Sequence, residues 1–373
     1  MFSAPLSFID KDKSVTLDWV SESQFPMPKK VIMVDDTFPA HRYTSLASQG
    51  TSFVWNGNYH NAKNLLQAVQ RRIKKPDSSD TDLTKEFYRH RQFQAYRAQL
   101  LGRLLIRVEA DLSIQLPKAP DLRQIIVEAI TPPKNAFLVS LRELLGFVGA
   151  YEWRKKGISI AALEAKKIHA HYGVFSPIRG EYLNLIAHAT LPGDTKIAFD
   201  IGTGSGVISA ILAQRGIPNI IATDMDSRAI ACANENIKSL GFEKQVRIEM
   251  TNLFPQGNAD LIICNPPWLP AKPTSSIENA VYDEGSQMLK GFLNGVGKHL
   301  NDRGQAWLII SDLAEHLGLR KTNELSEWIQ NAKLKIIETL ETRPTHSKIN
   351  DENDILHLAR SKEVTKLLKL EKA

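Results

Sequence analysis

Two textures of apolar spacing divide this chain. From about residue 195, short apolar runs alternate with amphipathic stretches: Lys196–Ile201, Ile220–Thr223, Val246–Met250 and Leu261–Cys264 against Ile208–Arg215 and Ala229–Leu240. Near-continuous apolar runs suit strands buried on both faces, and their alternation with helical periodicity predicts βαβ units on a parallel sheet. Gln305–Ser311, Lys335–Thr342 and Ile355–Ala359 extend the series of predicted strands.

Before residue 165 helical spacing dominates. Asn61–Lys75 places Leu65, Leu66, Ala68, Val69 and Ile73 at helical intervals and stops at a Pro-Asp-Ser-Ser-Asp breaker. Glu86–Ile106 reads as a longer helix decorated by Arg89, Arg91, Arg97 and Arg103. Further helices are predicted over 121–130, 135–153 and 158–171 between Pro117, Pro120, Pro132 and Pro133. Residues 1–30, with Pro5, Pro26 and Pro28, read as a loosely structured lead-in to a short strand at Val31–Val34. The expected organisation is a mainly helical accessory or substrate domain over 1–165, a catalytic α/β domain over 166–362 and a basic tail over 363–373. The last stretch, Lys362–Ala373, reads as basic and amphipathic, which predicts a short helix.

Composition narrows the class without naming it. The chain has 373 residues, enough for two domains, with 43% hydrophobic and 24% charged residues, as ordinary globular proteins have. A formal net charge of +6 is compatible with a nucleic-acid or acidic partner and does not require one. The two cysteines, Cys232 and Cys264, are far apart in apolar runs, which predicts reduced core thiols in a cytoplasmic protein. Neither a zinc cluster nor a disulfide framework is expected. No basic segment leading into a long apolar run opens the chain, and no apolar stretch reaches the ~18 residues of a membrane helix.

The chemistry concentrates in two elements. Ile197-Ala198-Phe199-Asp200-Ile201 runs into Gly202-Thr203-Gly204-Ser205-Gly206, a strand followed by a glycine turn that opens a helix. Glycines there let the backbone approach a ligand closely. The next strand ends at Asp224, about twenty residues on, where an acid can hold a ribose hydroxyl. The turn departs from GxGxxG, the pattern that clears a helix N-terminus for a pyrophosphate. A carboxylate at the strand end, Asp200, suits a ligand with an ammonium instead.

The second element ends the strand Asp260–Cys264: Asn265-Pro266-Pro267-Trp268. Two prolines fix φ and remove N–H donors, leaving carbonyl groups free to accept. The Asn265 side chain adds another acceptor. Two acceptors on one amino group position a substrate nitrogen for attack, and Trp268 offers a flat face for a planar amide or base. The element follows the glycine turn by about sixty residues, at the sheet edge where such folds bind ligands.

With both elements in view, residues from about 170 to 360 resemble the class I S-adenosylmethionine-dependent methyltransferases of the small-domain type. That group includes release-factor glutamine methyltransferases and enzymes that methylate amino groups of RNA or DNA bases. Phe175–Glu181 resembles the segment that borders the cofactor, and Tyr282-Asp283-Glu284-Gly285 the acidic stretch after the Asn-Pro-Pro element. The resemblance implies a Rossmann-like seven-stranded sheet with its last strand antiparallel. It implies that S-adenosyl-L-methionine is bound by Arg179, Asp200, Gly202, Thr203, Gly204, Gly206, Asp224, Met225, Asn252, Leu253 and Asn265. It implies that Asn265, Pro266, Pro267 and Trp268 serve the acceptor nitrogen. Asn252 stands where those families usually carry Asp, and Trp268 where they carry Tyr or Phe.

The expected function is therefore N-methylation of a planar amino or amide nitrogen, in RNA, DNA or a protein glutamine. A small-metabolite methyltransferase, an inactive cofactor-binding module and a nicotinamide-dependent enzyme are the competing readings. The intact acceptor element speaks against the inactive module, and the altered glycine pattern against the nicotinamide enzyme. His169 and His171, two apart on a predicted helix, do not face one another, so no metal site is expected. Phe87–Phe93 interleaves aromatics with charge, as nucleic-acid surfaces do, and an amphipathic helix whose aromatics face a core is the favoured reading.

Overall fold

The computed structural model describes residues 2–10, 12–75, 82–178, 180–273, 276–344, 354 and 356–373. The chain forms two compact units: Met1–Ser79, Tyr88–Glu152 and Thr274–Ser276 in one, and Asp80–Phe87, Trp153–Pro273 and Ile277–Ala373 in the other.

The first unit is built on a six-stranded mixed sheet. Its strands are β1 (Phe2–Asp10), β2 (Lys13–Ser21), β3 (Lys30–Val34), β4 (Thr51–Trp55), β5 (Leu104–Val108) and β6 (Phe137–Ser140), in the order β1-β2-β6-β5-β4-β3. Helices α1 (Ala40–Ser48), α2 (Tyr59–Arg72), α3 (Leu83–Leu101), α4 (Arg123–Ala129) and α5 (Leu141–Lys156) connect or follow them. The expected mainly helical domain is thus corrected to a sheet with helices. Residues 1–30 are not a loose lead-in: β1 and β2 pair antiparallel along their whole length. Leu6 and Phe8 of β1 and Leu17 and Trp19 of β2 are buried with Val54, Leu105 and Leu138, a period of two that fits one covered face. Pro5 lies in β1, which pairs with β2 alone, the edge position where a missing N–H is tolerated. The helix expected over 158–171 is two short strands, β7 (Ile158–Ser159) and β8 (Lys167–Ile168), around a single 3-10 turn.

The second unit carries the alternating half of the sequence. α6 (Glu181–His188) precedes β9 (Ile197–Ile201), α7 (Val207–Gln214), β10 (Asn219–Asp224), α8 (Ser227–Leu240), β11 (Val246–Met250) and β12 (Ala259–Cys264). Then come α9 (Gln287–His299), β13 (Leu300–Ser311), α10 (Leu313–His316), α11 (Glu324–Asn331), β14 (Leu334–Thr342), α12 (His357–Arg360) and β15 (Thr365–Lys372). The seven strands lie in the order β11-β10-β9-β12-β13-β15-β14, parallel from β11 to β13, with β15 antiparallel to both neighbours. The last strand is antiparallel, as the resemblance implies.

Both faces of this sheet are covered, which is why its strands read as unbroken apolar runs. Ala198, Leu261, Ile263, Trp307, Ile309 and Leu367 pack with Ile208, Ile211 and Leu212 of α7. Phe199, Ile262, Cys264, Leu308, Ile310, Leu368 and Leu370 pack with Phe292, Leu293 and Val296 of α9. Both cysteines are buried and free, and burial raises both thiols, Cys232 to about 11 and Cys264 well above its usual value.

Two further expectations are corrected here. The segment after residue 362 is not a helical tail but β15, inserted between β13 and β14. Ile355–Ala359 is not a strand: its described part enters α12, and Ile355 lies outside the described residues. Phe87 is buried with Leu313 and Leu317, but Phe93 is half-buried and Tyr88 is 49% exposed, so the core-facing aromatics expected of this helix hold only in part. Among the described residues no helix is long and apolar enough to cross a membrane.

Candidate active site

Three strand ends meet at the carboxyl edge of the seven-stranded sheet. Ile201 of β9 pairs with Thr223 of β10 on one side and Cys264 of β12 on the other. Gly202, Asp224 and Asn265 are therefore the next residues on three adjacent strands. The strand order reverses at β9, so this edge is the topological switch point, where open α/β sheets bind ligands.

The glycine turn is laced to β10. The N–H groups of Gly202 and Thr203 both donate to the Thr223 carbonyl at 2.9 Å. The Gly204 N–H donates to Asp224 Oδ2 at 3.0 Å. Gly202, Gly204 and Gly206 have φ of 72°, 55° and 80°, a region that costs other residues strain. At Gly206 a Cβ would also press against Cα and Cβ of Ala233 at 3.2 Å, so glycine lets α7 begin against α8. At Gly204 a Cβ would meet nothing within 4 Å. The backbone there borders open space beside the Asp224 carboxylate.

Asp200 is fully buried. Its Oδ2 accepts from Ser209 Oγ (2.6 Å), Thr203 Oγ1 (2.7 Å) and the Ser209 N–H (3.1 Å). Its Oδ1 is buried with no hydrogen-bond partner. Burial pushes the Asp200 carboxyl up to about 6; the hydrogen bonds pull it down and Asp224 pushes it up. Thr203 is therefore turned inward to hold Asp200.

Asp224 Oδ1 accepts the Asp226 N–H at 3.0 Å, and Asp226 caps α8 through the Arg228 N–H at 2.8 Å. Met225 beside it is 67% exposed, unusual for an apolar side chain of this size in a structured loop. The loop after β11 is tied to the same strand end: Thr251 N–H donates to the Asp224 carbonyl at 3.0 Å and Thr223 Oγ1 to the Leu253 carbonyl at 2.5 Å. Leu253 has a positive φ of 61°, and Asn252 before it is exposed. Arg179 lies outside the described residues.

At the end of β12, Asn265 and Pro267 are half-buried and Pro266 is buried. Trp268 Nε1 donates to Asn265 Oδ1 at 3.0 Å, and the ring packs against both core clusters of the sheet. The expected stacking platform is thus an indole committed to Asn265 and half-buried. The Tyr282–Gly285 stretch has a structural duty. Asp283 Oδ1 accepts the Gln287 N–H at 2.9 Å and Oδ2 the Met288 N–H at 2.9 Å, which caps α9. The Met288 side chain fills the place that a Cβ on Gly202 would take.

Sequence reasoning missed Tyr182, Ser209, Thr223 and Met288. Tyr182 follows the Phe175–Glu181 segment directly, and its ring meets that of Trp268 edge-on at 6.4 Å and 83°. His169 and His171 contact the Arg154 carbonyl (2.6 Å) and Glu235 (2.7 Å), respectively. Among the described residues no group of three or more His, Cys, Asp or Glu is placed to hold a metal ion.

Residues 165–338 match the family model described as the methyltransferase small domain. This segment is a methyltransferase small domain. Over this segment the chain is similar to known methyltransferases. It is 28% identical over 190 residues to a Methanocaldococcus jannaschii protein named as a protein N5-glutamine methyltransferase, covering 48% of this chain and 93% of that one. It is 27% identical over 156 residues to a tRNA1(Val) (adenine(37)-N6)-methyltransferase of Shewanella putrefaciens, covering 39% of this chain and 65% of that one. It is 26% identical over 165 residues to a release factor glutamine methyltransferase of Cereibacter sphaeroides, covering 38% and 59%. The chain thus spans under two thirds of the second and third relatives.

The methyltransferase site fits its cofactor on two observations. A buried carboxylate oxygen without a partner, Asp200 Oδ1, matches a ligand carrying an ammonium. Open space at Gly204 beside the Asp224 carboxylate matches close backbone approach by a ribose-bearing chain. A pH dependence follows. Protonating Asp200 removes the charge that an ammonium would use, and its free-state value is about 6. S-adenosylhomocysteine, which keeps the ammonium, is expected to bind up to about tenfold more weakly per pH unit below 6. Asp200→Asn should flatten that slope in calorimetric titrations between pH 5 and pH 8; an unchanged slope would remove the carboxylate from cofactor binding. For folding the sign is opposite. The folded value exceeds the ordinary 3.8, so the free fold binds the extra proton, and this group's contribution to stability falls as pH rises from 3.8 to 6.

Proposed function

We propose that this methyltransferase acts in the cytoplasm on a planar amino or amide nitrogen of a macromolecule, a nucleic-acid base or a protein glutamine. The observation that carries the reading is Asn265-Pro266-Pro267-Trp268 at the end of β12, one strand from the glycine turn. Two of the relatives above carry glutamine in their names and one carries adenine N6, both planar nitrogens with N–H groups.

When bound, S-adenosylmethionine supplies an electrophilic methyl group on a sulfonium. Asp200 would hold its ammonium, and the backbone of Gly202, Thr203, Gly204 and Gly206 would line its amino-acid part. Asp224 would accept from its ribose hydroxyls, with Met225, Asn252 and Leu253 at its adenine. Asn265 Oδ1 and the Pro266 carbonyl accept the N–H groups of the acceptor and turn its lone pair toward the methyl. Orientation and exclusion of water are then the main contributions of the protein.

The test uses purified protein, radiolabelled S-adenosylmethionine and an extract from a strain lacking the gene. Label is expected in macromolecules, removed either by nuclease or by protease. Nuclease sensitivity assigns a base and protease sensitivity a glutamine. Cofactor binding without any macromolecular label would overturn the proposal in favour of a small acceptor.

A further inference from the structure

We propose that Asn236 of α8 is a positioning residue that holds the glycine turn in the shape the cofactor's amino-acid part requires. The inference rests on the functional reading above. The glycines that open the turn also loosen it. Gly204 and Gly206 flank Ser205 at φ of 55° and 80°, and a residue without Cβ lets the adjoining peptide planes rotate cheaply. A turn that presents the same backbone groups to every ligand needs those planes fixed from outside.

Asn236 fixes one of them. It is 1% exposed and lies one helical turn after Ala233, the residue against which a Cβ on Gly206 would press. Its Nδ2 donates to the Ser205 carbonyl at 3.0 Å. The Gly206 N–H of the same peptide donates to the Thr203 carbonyl at 2.9 Å. At the other end of the Gly204-Ser205 dipeptide, the Gly204 N–H donates to Asp224 Oδ2 at 3.0 Å. The open stretch of the turn is thus held at both ends, by a carboxylate on one side and an amide on the other.

The orientation of that amide is itself set. Its Oδ1 accepts the His169 N–H at 2.9 Å, and a backbone N–H can only donate, so Nδ2 faces the carbonyls. Nδ2 also donates to the His169 carbonyl at 3.3 Å. The preceding residue, Glu235, accepts from Arg154 and from His171 Nε2, each at 2.7 Å. Two consecutive residues of α8 therefore fasten the segment that follows β8, and Asn236 joins that fastening to the glycine turn. A carboxylate in its place lacks the donor and a lysine lacks the acceptor.

The test reads cofactor affinity and turnover separately on the full chain. Asn236→Ala leaves the buried Ser205 carbonyl without this partner. Affinity for S-adenosylhomocysteine, by calorimetry, is expected to fall about tenfold, and KM for S-adenosylmethionine to rise by the same factor. The rate at saturating labelled S-adenosylmethionine, with the same gene-deficient extract, should stay within about twofold. A residue that only supported the fold would lower the melting temperature and leave both cofactor constants unchanged wherever the variant is folded. That result would overturn the proposal, as would a slower saturated rate with unchanged affinity. Asn236→Asp keeps the acceptor for the His169 N–H and removes the amide donor, so it carries the same expectation should the alanine variant fold poorly. Wild-type protein that binds no S-adenosylhomocysteine would instead overturn the underlying reading of the glycine turn, and this inference with it.

Discussion

Asn265→Ala is expected to slow methyl transfer on the order of 10^3-fold while cofactor affinity and the fold persist. The magnitude follows from what an acceptor element does. Misplacing a reacting atom by an ångström costs about 10^2-fold, and deleting an oriented polar contact at the reacting centre costs a further factor of about 10 to 10^2. The stability cost is smaller. Trp268 Nε1 loses its partner, on the order of 1 kcal/mol. That is a few degrees in a melting experiment. Initial rates, a thermal melt and a titration with S-adenosylhomocysteine separate the three quantities. A variant that melts and binds cofactor normally and still transfers methyl at the wild-type rate would take Asn265 out of the mechanism.

The cofactor edge was legible because its signals are local. β9, β10 and β12 are each five or six mostly apolar residues ending at a glycine, an acid or Asn-Pro-Pro, and with β11 they fall where the pattern puts them. What the pattern could not show is direction. Asp200 reads as a ligand residue at a strand end, yet Oδ2 is consumed by Thr203 and Ser209 and only Oδ1 lacks a partner. Tyr182 is invisible to any spacing argument, since it lies more than eighty residues from Trp268, whose ring it meets edge-on.

The first unit was harder because its strands adjoin helices without punctuation. β6 is four fully buried residues, Phe137–Ser140, that run straight into α5 at Leu141. Three apolar residues and a serine followed by a helix read as one helix by periodicity alone. β5 likewise follows α3 after two residues, so Leu104 and Leu105 fall on helical spacing with Leu100 and Leu101. Tertiary pairing with β4 decides the outcome there.

Removing residues 363–373 is expected to abolish cooperative folding of the unit that carries the active site. Lys362, Lys366 and Lys369 mimic one face of a helix, but each of the last two has a strand-specific place. Lys366 Nζ lies 3.6 Å from Glu341 of β14. Lys369 is 3% exposed, with its Nζ 2.6 Å from Glu338, 3.0 Å from the Thr190 carbonyl and 5.3 Å from the Trp307 ring centre. Beside these lysines, Leu367, Leu368 and Leu370 are buried on the two faces of the sheet. Truncating one such leucine costs about 2 to 5 kcal/mol, and total stability is only about 5 to 15. Loss of three, together with the hydrogen bonds from β15 to both β13 and β14, exceeds what the unit holds. The truncated chain should therefore show no sharp melt by circular dichroism and no thermal shift with S-adenosylhomocysteine. A helical tail would predict the reverse, a melt within a few degrees of the full chain and intact cofactor binding. That outcome would remove β15 from the sheet. The two results also bear on chemistry, because β13 and β12 are neighbours, and Asn265 takes its position from the end of β12.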